Sequence, residues 1–271
     1  MGSPALGVVR LIVYLIWTAL ILPVQGVAVM LRLEVRRWLP LLYHRGILWI
    51  FDLKVEVIGT CSRKRPTLFI SNHVSYLDIE VLGSLIAGSF VAKSEVAGWP
   101  VFGALAKLQE TVFINRKFRH DVKRQGETML GRLVAGDSLI LFPEGTSSDG
   151  NRVLPFKTAL FSVAAQLIDN QPLVVQPISL TAVALDGMPL GRSLRPLYAW
   201  YGDMFLGPHL WQIAKIGGIT IVVQFHAPVS IDTVGSRKEM SDHCFRMIRD
   251  GVAHAVSGSS ATQISTSKAN N

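Results

Sequence analysis

Residues Leu11 to Leu31 form a run of 21 positions without a formal charge. Few architectures admit such a run. Wound as an α-helix at 1.5 Å per residue, it spans about 31 Å, close to the hydrocarbon thickness of a bilayer. Arg10 precedes it, and Arg32, Arg36 and Arg37 follow it. By the positive-inside rule these flanks predict an inner (cytoplasmic) membrane protein whose bulk faces the cytoplasm. Pro23 and Gly26 interrupt the run and admit a kink or a shallow re-entrant path. A cleaved signal peptide and a helix buried in a soluble core are the rival readings. A signal peptide has a shorter apolar stretch and a small-residue cleavage site, and its basic residues come first. The expectation is an N-terminal membrane-anchoring helix with its basic flank over residues 1–37, spanning or dipping.

Composition supports a lipid-facing surface. Apolar residues make up 49% of the chain and charged ones 17%, below the usual quarter for soluble domains. The net charge is +8, which favours an anionic partner: nucleic acid, anionic lipid or an acidic carrier. Arg32 to Arg65 carries eight Lys/Arg against Glu34, Asp52 and Glu56. Cations beside an apolar segment suit an anionic membrane surface. No nucleic-acid-binding signature is present, so no nucleic-acid partner is expected. The two cysteines, Cys61 and Cys244, make no disulfide framework and suit a reducing compartment. His44, His120, His209, His226, His243 and His254 show no ligand spacing, so no metal is expected.

Beyond the apolar run, short β-branched stretches alternate with helical ones. Candidate strands are Val55–Ile58, Thr67–Ser71, Phe90–Ala92, Val112–Ile114, Ser138–Phe142, Leu173–Leu180 and Ile219–Phe225. Candidate helices are Asp78–Ile86, Pro100–Leu108, Asp121–Ala135 and Ala159–Leu167. That order predicts an α/β fold over 38–255, with a mixed, largely parallel sheet flanked by helices. Residues 256–271, polar and small, are expected to be a disordered tail.

Two motifs end candidate strands, where open α/β sheets place their sites. The first is Asn72-His73-Val74-Ser75-Tyr76-Leu77-Asp78. On one helix, positions 73 and 78 lie about 140° apart, so contact between them requires a strand-to-helix turn. A carboxylate that holds a histidine fixes its tautomer and stabilises the imidazolium. No Gly-x-Ser-x-Gly elbow accompanies the pair, which suggests that the substrate brings the nucleophile. The second is Phe142-Pro143-Glu144-Gly145-Thr146, a sharp turn able to present backbone N–H groups to an anion, or else a plain surface turn. Phe113-Ile114-Asn115-Arg116 runs a strand into an arginine suited to phosphate or carboxylate, or simply solvated. Pro155-Phe156-Lys157 follows the second motif. The aromatic stretch Tyr198 to Trp211 fits either a membrane interface or an ordinary core segment.

In this order and spacing the motifs resemble the glycerolipid (1-acylglycerol-3-phosphate) acyltransferase superfamily, over roughly residues 50 to 230. Asn72, His73 and Asp78 match its first block. Arg116 ends its second, Phe142 to Thr146 match its third, and Pro177 in Val-Val-Gln-Pro-Ile matches its fourth; Lys93 and Lys157 also fit. One departure is Ser147, where the phosphatidate-forming branch usually has arginine. The run Glu144 to Asn151, with Tyr201-Gly-Asp-Met and Pro208-His209-Leu210, looks like the bacterial lyso-ornithine lipid acyltransferase branch.

The resemblance implies an O-acyltransferase of membrane lipid biosynthesis. His73 and Asp78 are the implied catalytic pair. Asn72, Lys93, Arg116, Glu144, Gly145, Thr146, Lys157 and Pro177 are the implied substrate-binding set. The donor is acyl carrier protein or coenzyme A thioester, with no further cofactor. The acceptor is a membrane lyso lipid, either lyso-ornithine lipid or 1-acylglycerol-3-phosphate. Arg116, Lys117, Arg119, Lys123 and Arg124 would suit an anionic donor. A lipid thioesterase or hydrolase using the same pair, and a non-catalytic lipid-binding membrane protein, are the alternatives.

Overall fold

The computed structural model describes residues 2–114 and 119–257. A 27-residue helix opens the chain (α1, Pro4–Met30), then α2 (Leu39–Ile50), β1 (Leu53–Ile58), β2 (Thr67–Ser71) and α3 (Leu77–Gly83). Next come β3 (Ser89–Lys93), α4 (Phe102–Leu108), β4 (Val112–Ile114), α5 (Arg119–Val134) and β5 (Leu139–Leu141). A small hairpin (β6, Leu167–Ile168; β7, Gln171–Pro172) precedes the long β8 (Val174–Leu185), β9 (Met188–Pro189) and α6 (Leu206–Lys215). β10 (Ile219–Phe225), α7 (Ile231–Val234) and α8 (Arg237–Val256) complete the domain.

The main sheet runs β1-β10-β8-β2-β5-β3-β4, with β9 beside β8. Pairs β1/β10, β8/β2, β2/β5, β5/β3 and β3/β4 are parallel; β10/β8 and β8/β9 are antiparallel. Strand β2 is buried at all five positions, as a central parallel strand covered on both faces must be. The two-residue period sorts its side chains: Phe69 joins a core with α2, α3 and α6, while Leu68 and Ile70 join one with α5 and α8. β5 repeats the division, Ile140 on the first side and Leu139 and Leu141 on the second.

Helix α1 runs unbroken through Pro23 and lies along the first side of the domain. Arg10 Nη1 donates to the Ile216 carbonyl at 2.6 Å, Trp17 Nε1 to Tyr43 O at 3.1 Å, and Gln25 Nε2 to Leu108 O at 2.8 Å. Its other face leaves Val9, Ile12, Leu15, Ile16, Leu20 and Val24 more than half exposed.

The expected strands and their order are present, and so is the largely parallel sheet. The helix expected over 159–167 is instead a 3₁₀ helix, Thr158–Ala165. No side chain caps its start at Lys157, and Gln166 is already extended, so an α-helix has neither a nucleus nor room to grow. Of the tail expected over 256–271, Val256 closes α8, and residues 258–271 lie outside the described ones.

Phe69, 2% exposed at the sheet centre, anchors the first core. Phe69→Ala should cost about 3–5 kcal/mol, read as a lower urea midpoint in detergent; a midpoint within error of wild type would mean that this core does not hold the sheet.

Candidate active site

Because β2, β5, β3 and β4 are all parallel, their carboxyl ends share one edge of the sheet. β2 delivers Asn72 and His73 there, β5 delivers Phe142 to Thr146, and β3 ends at the exposed Lys93. β4 ends at Ile114; Arg116 and Lys117 lie outside the described residues.

At this edge the chain makes the turn that the spacing requires. Asp78, at the start of α3, is wholly buried. Its Oδ2 accepts from the backbone N–H groups of Val74 (2.6 Å) and Ser75 (3.0 Å), folding the carboxylate back over the turn. The same oxygen lies 2.9 Å from His73 Nδ1, and Oδ1 accepts from Tyr198 Oη at 2.9 Å. Among the described residues every group around this carboxylate is a donor. An ionised Asp78 can only accept at this contact, so it selects the tautomer with the proton on His73 Nδ1 and Nε2 as the acceptor. The imidazole stacks on Phe142 (centroids 4.2 Å apart) and is 22% exposed. It is thus held rigid and still reachable.

The second motif is tied to the first through Glu144, which is 3% exposed. Oε1 accepts from His73 N and Oε2 from Leu154 N, both at 2.8 Å. The carboxylate bridges the two loops instead of facing open space. Burial pushes its pKa up to about 8, against the opposing pull of the two N–H donors. Gly145 turns the chain at φ 74°, a left-handed conformation that favours glycine, and its N–H closes the turn on Phe142 O at 3.2 Å. Thr146 is exposed. The N–H groups of Thr146 and Ser147 have no partner among the described residues.

The other expected binding residues fall in different places. Asn72 is buried, and its amide pairs with the Leu180 backbone through Nδ2→O (2.9 Å) and N→Oδ1 (2.8 Å). It extends the β2–β8 ladder past the strand end. Pro177 lies within β8 opposite Ile70, inside the sheet. Lys157 is exposed, and its N–H bonds Pro143 O at 2.9 Å beside the glycine turn.

Sequence reasoning missed the segment that roofs this turn. Trp200 N donates to Val74 O at 3.0 Å, Ser147 Oγ donates to Trp200 O, and Tyr76 meets both Trp200 and His209 edge-on. The aromatic stretch starting at Tyr198 therefore begins as core, although Phe205 further along is 81% exposed. A second polar knot braces it: Arg195, 5% exposed, donates to Asn151 Oδ1 (2.6 Å) and Leu190 O (3.1 Å). No spacing rule links residues so far apart in the chain.

Beside the site lies an apolar cavity of about 150 Å³, walled by α1, α2, α3, β3 and α4. Leu22, Tyr43, Tyr76, Phe90, Trp99 and Leu105 line it. Phe90 stacks on Phe142, whose ring stacks on His73, so cavity wall and imidazole form one aromatic column.

The fold and this geometry define an α/β enzyme that presents a carboxylate-braced imidazole at the carboxyl edge of its sheet. A family model described as Acyltransferase matches residues 53–181. A lyso-ornithine lipid O-acyltransferase of Rhizobium meliloti is 41% identical over 89% of this chain and 83% of its own length. A 1-acyl-sn-glycerol-3-phosphate acyltransferase of Neisseria meningitidis is 35% identical over 77% and 78%. The crystal structure of the 1-acyl-sn-glycerophosphate acyltransferase PlsC from Thermotoga maritima superposes with a TM-score of 0.63 at 21% identity, covering 91% of this chain and 94% of that one, and so shares the fold. The chain belongs to the glycerolipid and lysophospholipid acyltransferase superfamily.

Glu144 makes the site's stability pH-dependent. Its folded-state pKa lies above the ordinary 4.5, so the native state keeps a proton that the unfolded chain releases. This contribution is complete below about pH 4.5 and is lost as pH rises through about 8. In Glu144→Gln, which cannot titrate, the decline of Tm over that window should flatten. A decline as steep as in wild type would assign it to other groups.

Proposed function

We propose that the chain transfers a fatty acyl group from an acyl thioester to the hydroxyl of a lyso lipid, with His73 as general base. The observation that carries this reading is the His73 Nδ1–Asp78 Oδ2 contact at 2.9 Å, which engages one ring nitrogen and leaves the other, Nε2, for the acceptor hydroxyl. His73 Nε2 takes the proton of the acceptor hydroxyl, and that oxygen bonds to the thioester carbonyl carbon. The C–S bond then breaks, and the imidazolium returns the proton to the leaving thiolate. A base so placed typically contributes about 10²–10⁴ in rate. The unpartnered N–H groups of Thr146 and Ser147 suit the oxyanion that forms on the way.

Direct transfer fits better than a hydrolase with its own nucleophile. Among the described residues no hydroxyl or thiol bonds the imidazole; Cys244 is buried in α8, and Cys61 lies in the loop leading to β2 at the far end of the sheet. The apolar cavity accepts an acyl chain next to the base. Lys93 and Lys157, with Arg116 beyond the described residues, suit the anionic parts of donor and acceptor. The acceptor we favour is lyso-ornithine lipid, by likeness to the lyso-ornithine lipid O-acyltransferase of Rhizobium meliloti; a 1-acylglycerol-3-phosphate acceptor is the second reading, by the Neisseria relative. The donor is acyl carrier protein or coenzyme A thioester.

The exposed apolar face of α1, continued by Trp38, Leu42 and Trp49 of the next helix and its entry, supports membrane attachment by residues 1–37. The basic flank favours the cytoplasmic face of the inner membrane. Residues 38–255 then carry the chemistry.

The purified protein, supplied with radiolabelled acyl-carrier and acyl-coenzyme A donors and each lyso lipid in turn, should form diacylated product. His73→Ala should lose at least about a hundred-fold in rate while still folding. Free fatty acid without acylated lipid, or a His73→Ala rate near wild type, would reject the reading. For attachment, Leu15→Glu with Leu20→Glu, both at solvent-facing positions, should release the protein from sedimented vesicles with Tm unchanged. Continued sedimentation would mean that α1 is not the anchor.

A further inference from the structure

Asp78 is a wholly buried carboxyl group, and its orientation decides whether His73 is held. The three interactions on Oδ2, from Val74, Ser75 and His73, grip one oxygen only. A carboxylate held at one oxygen still swings about it. Among the described residues the donor to Oδ1 is Tyr198 Oη at 2.9 Å. Tyr198 is itself 1% exposed, and its chain neighbour Trp200 is pinned to the same turn through Val74 O. The phenol is delivered by a segment fastened to the motif it serves.

We propose that Tyr198 is a positioning residue of the acyl-transfer site: its hydroxyl locks the Asp78 carboxylate and moderates the basicity of His73. This role rests on the reading of His73 as the general base. A hydrogen bond to an ionised carboxylate stabilises the charge and draws it away from the other oxygen. With Tyr198 in place, Asp78 presents a fixed, partly neutralised acceptor to His73 Nδ1–H. Without it, more negative charge faces the imidazole, the imidazolium is favoured, and His73 loses its proton only at higher pH. Tyr198 transfers no proton. Burial and the Asp78 charge hold its own pKa well above the ordinary 10, so it remains a donor throughout the working range.

The other titratable groups near the pair come from separate elements. Glu144 of the glycine turn bonds the His73 backbone. Tyr76 of the motif turn meets His209 of α6 at 3.2 Å, and Glu80 of α3 meets His44 of α2 at 2.6 Å. All of them persist when the Tyr198 hydroxyl is removed, so a change in His73 titration reports that hydroxyl.

The test is the pH–rate profile of the full-length protein with an acyl thioester and a lyso acceptor. Tyr198→Phe should lower kcat roughly ten- to hundred-fold and leave KM for both substrates within about two-fold. The limb on which activity rises with pH should move about one unit to the alkaline side. The control is Thr67→Val, which removes a buried 2.7 Å bond to Lys64 O at the other end of β2; it should lower Tm and leave the limb in place. An unmoved limb in Tyr198→Phe, or an equal shift in Thr67→Val, overturns the inference. If Tyr198→Phe does not fold, 3-fluorotyrosine at position 198 is a stronger donor of nearly the same shape and should move the limb to the acid side; no movement overturns the inference equally. His73→Ala separates the two readings. Loss of activity there with an unmoved limb removes only the role of Tyr198, whereas retained activity removes the base and the positioning role together.

Discussion

The site hangs on one buried charge. Asp78 has no exposed surface, and an unpaired carboxylate there would cost several kcal/mol. Two backbone N–H groups, an imidazole and a phenol surround it. Each of these donors comes at a structural cost. The backbone pair forces the turn after β2, the imidazole must be the residue that leaves the strand, and the phenol requires a distant segment to fold back over the turn. Satisfying the charge therefore dictates the local chain path, and the chain path presents Nε2 to the open edge.

Glu144 answers the same problem from the other loop. Its oxygens take N–H groups on either side of the gap, from His73 and Leu154. Asn72 closes the third side by pairing with Leu180 across the sheet. In this structure their polar atoms fasten the ends of β2, β5 and β8 to one another and to the following loops. A motif can thus be rich in polar residues because the carboxyl ends of parallel strands leave backbone groups unpaired, and only part of it need meet the reacting atoms.

The legible part of this fold was the part written in local pattern. The apolar runs Leu68 to Ile70 of β2 and Leu139 to Leu141 of β5, each followed by a polar motif, marked strands with a site at their ends. The five-residue gap from His73 to Asp78 required a turn for the two to touch, and the structure makes both the turn and the contact. Other elements left weaker traces. α2 carries Pro40 in its first turn, where proline suits a helix start, but Gly46 within it lowers its helical propensity. α8 did carry a signal that went unused: Ser236 and Glu239 form a reciprocal capping box. Arg195 and Tyr198 left none, because what fixes them is contact with residues 44 and 120 positions away. Such contacts follow from topology, and single-sequence periodicity does not encode it.

Ser147 joins these threads. Where the phosphatidate-forming branch usually has arginine, this chain has a hydroxyl that donates to the Trp200 carbonyl. Trp200 in turn holds Val74 through its N–H, and Tyr198, two residues before it, holds Asp78. The serine therefore staples the glycine turn to the segment whose Tyr198 bonds the Asp78 carboxylate. One hydroxyl thus ties the glycine turn to the segment that also carries Tyr198, so the two motif loops and the roof over them are fastened at a single point.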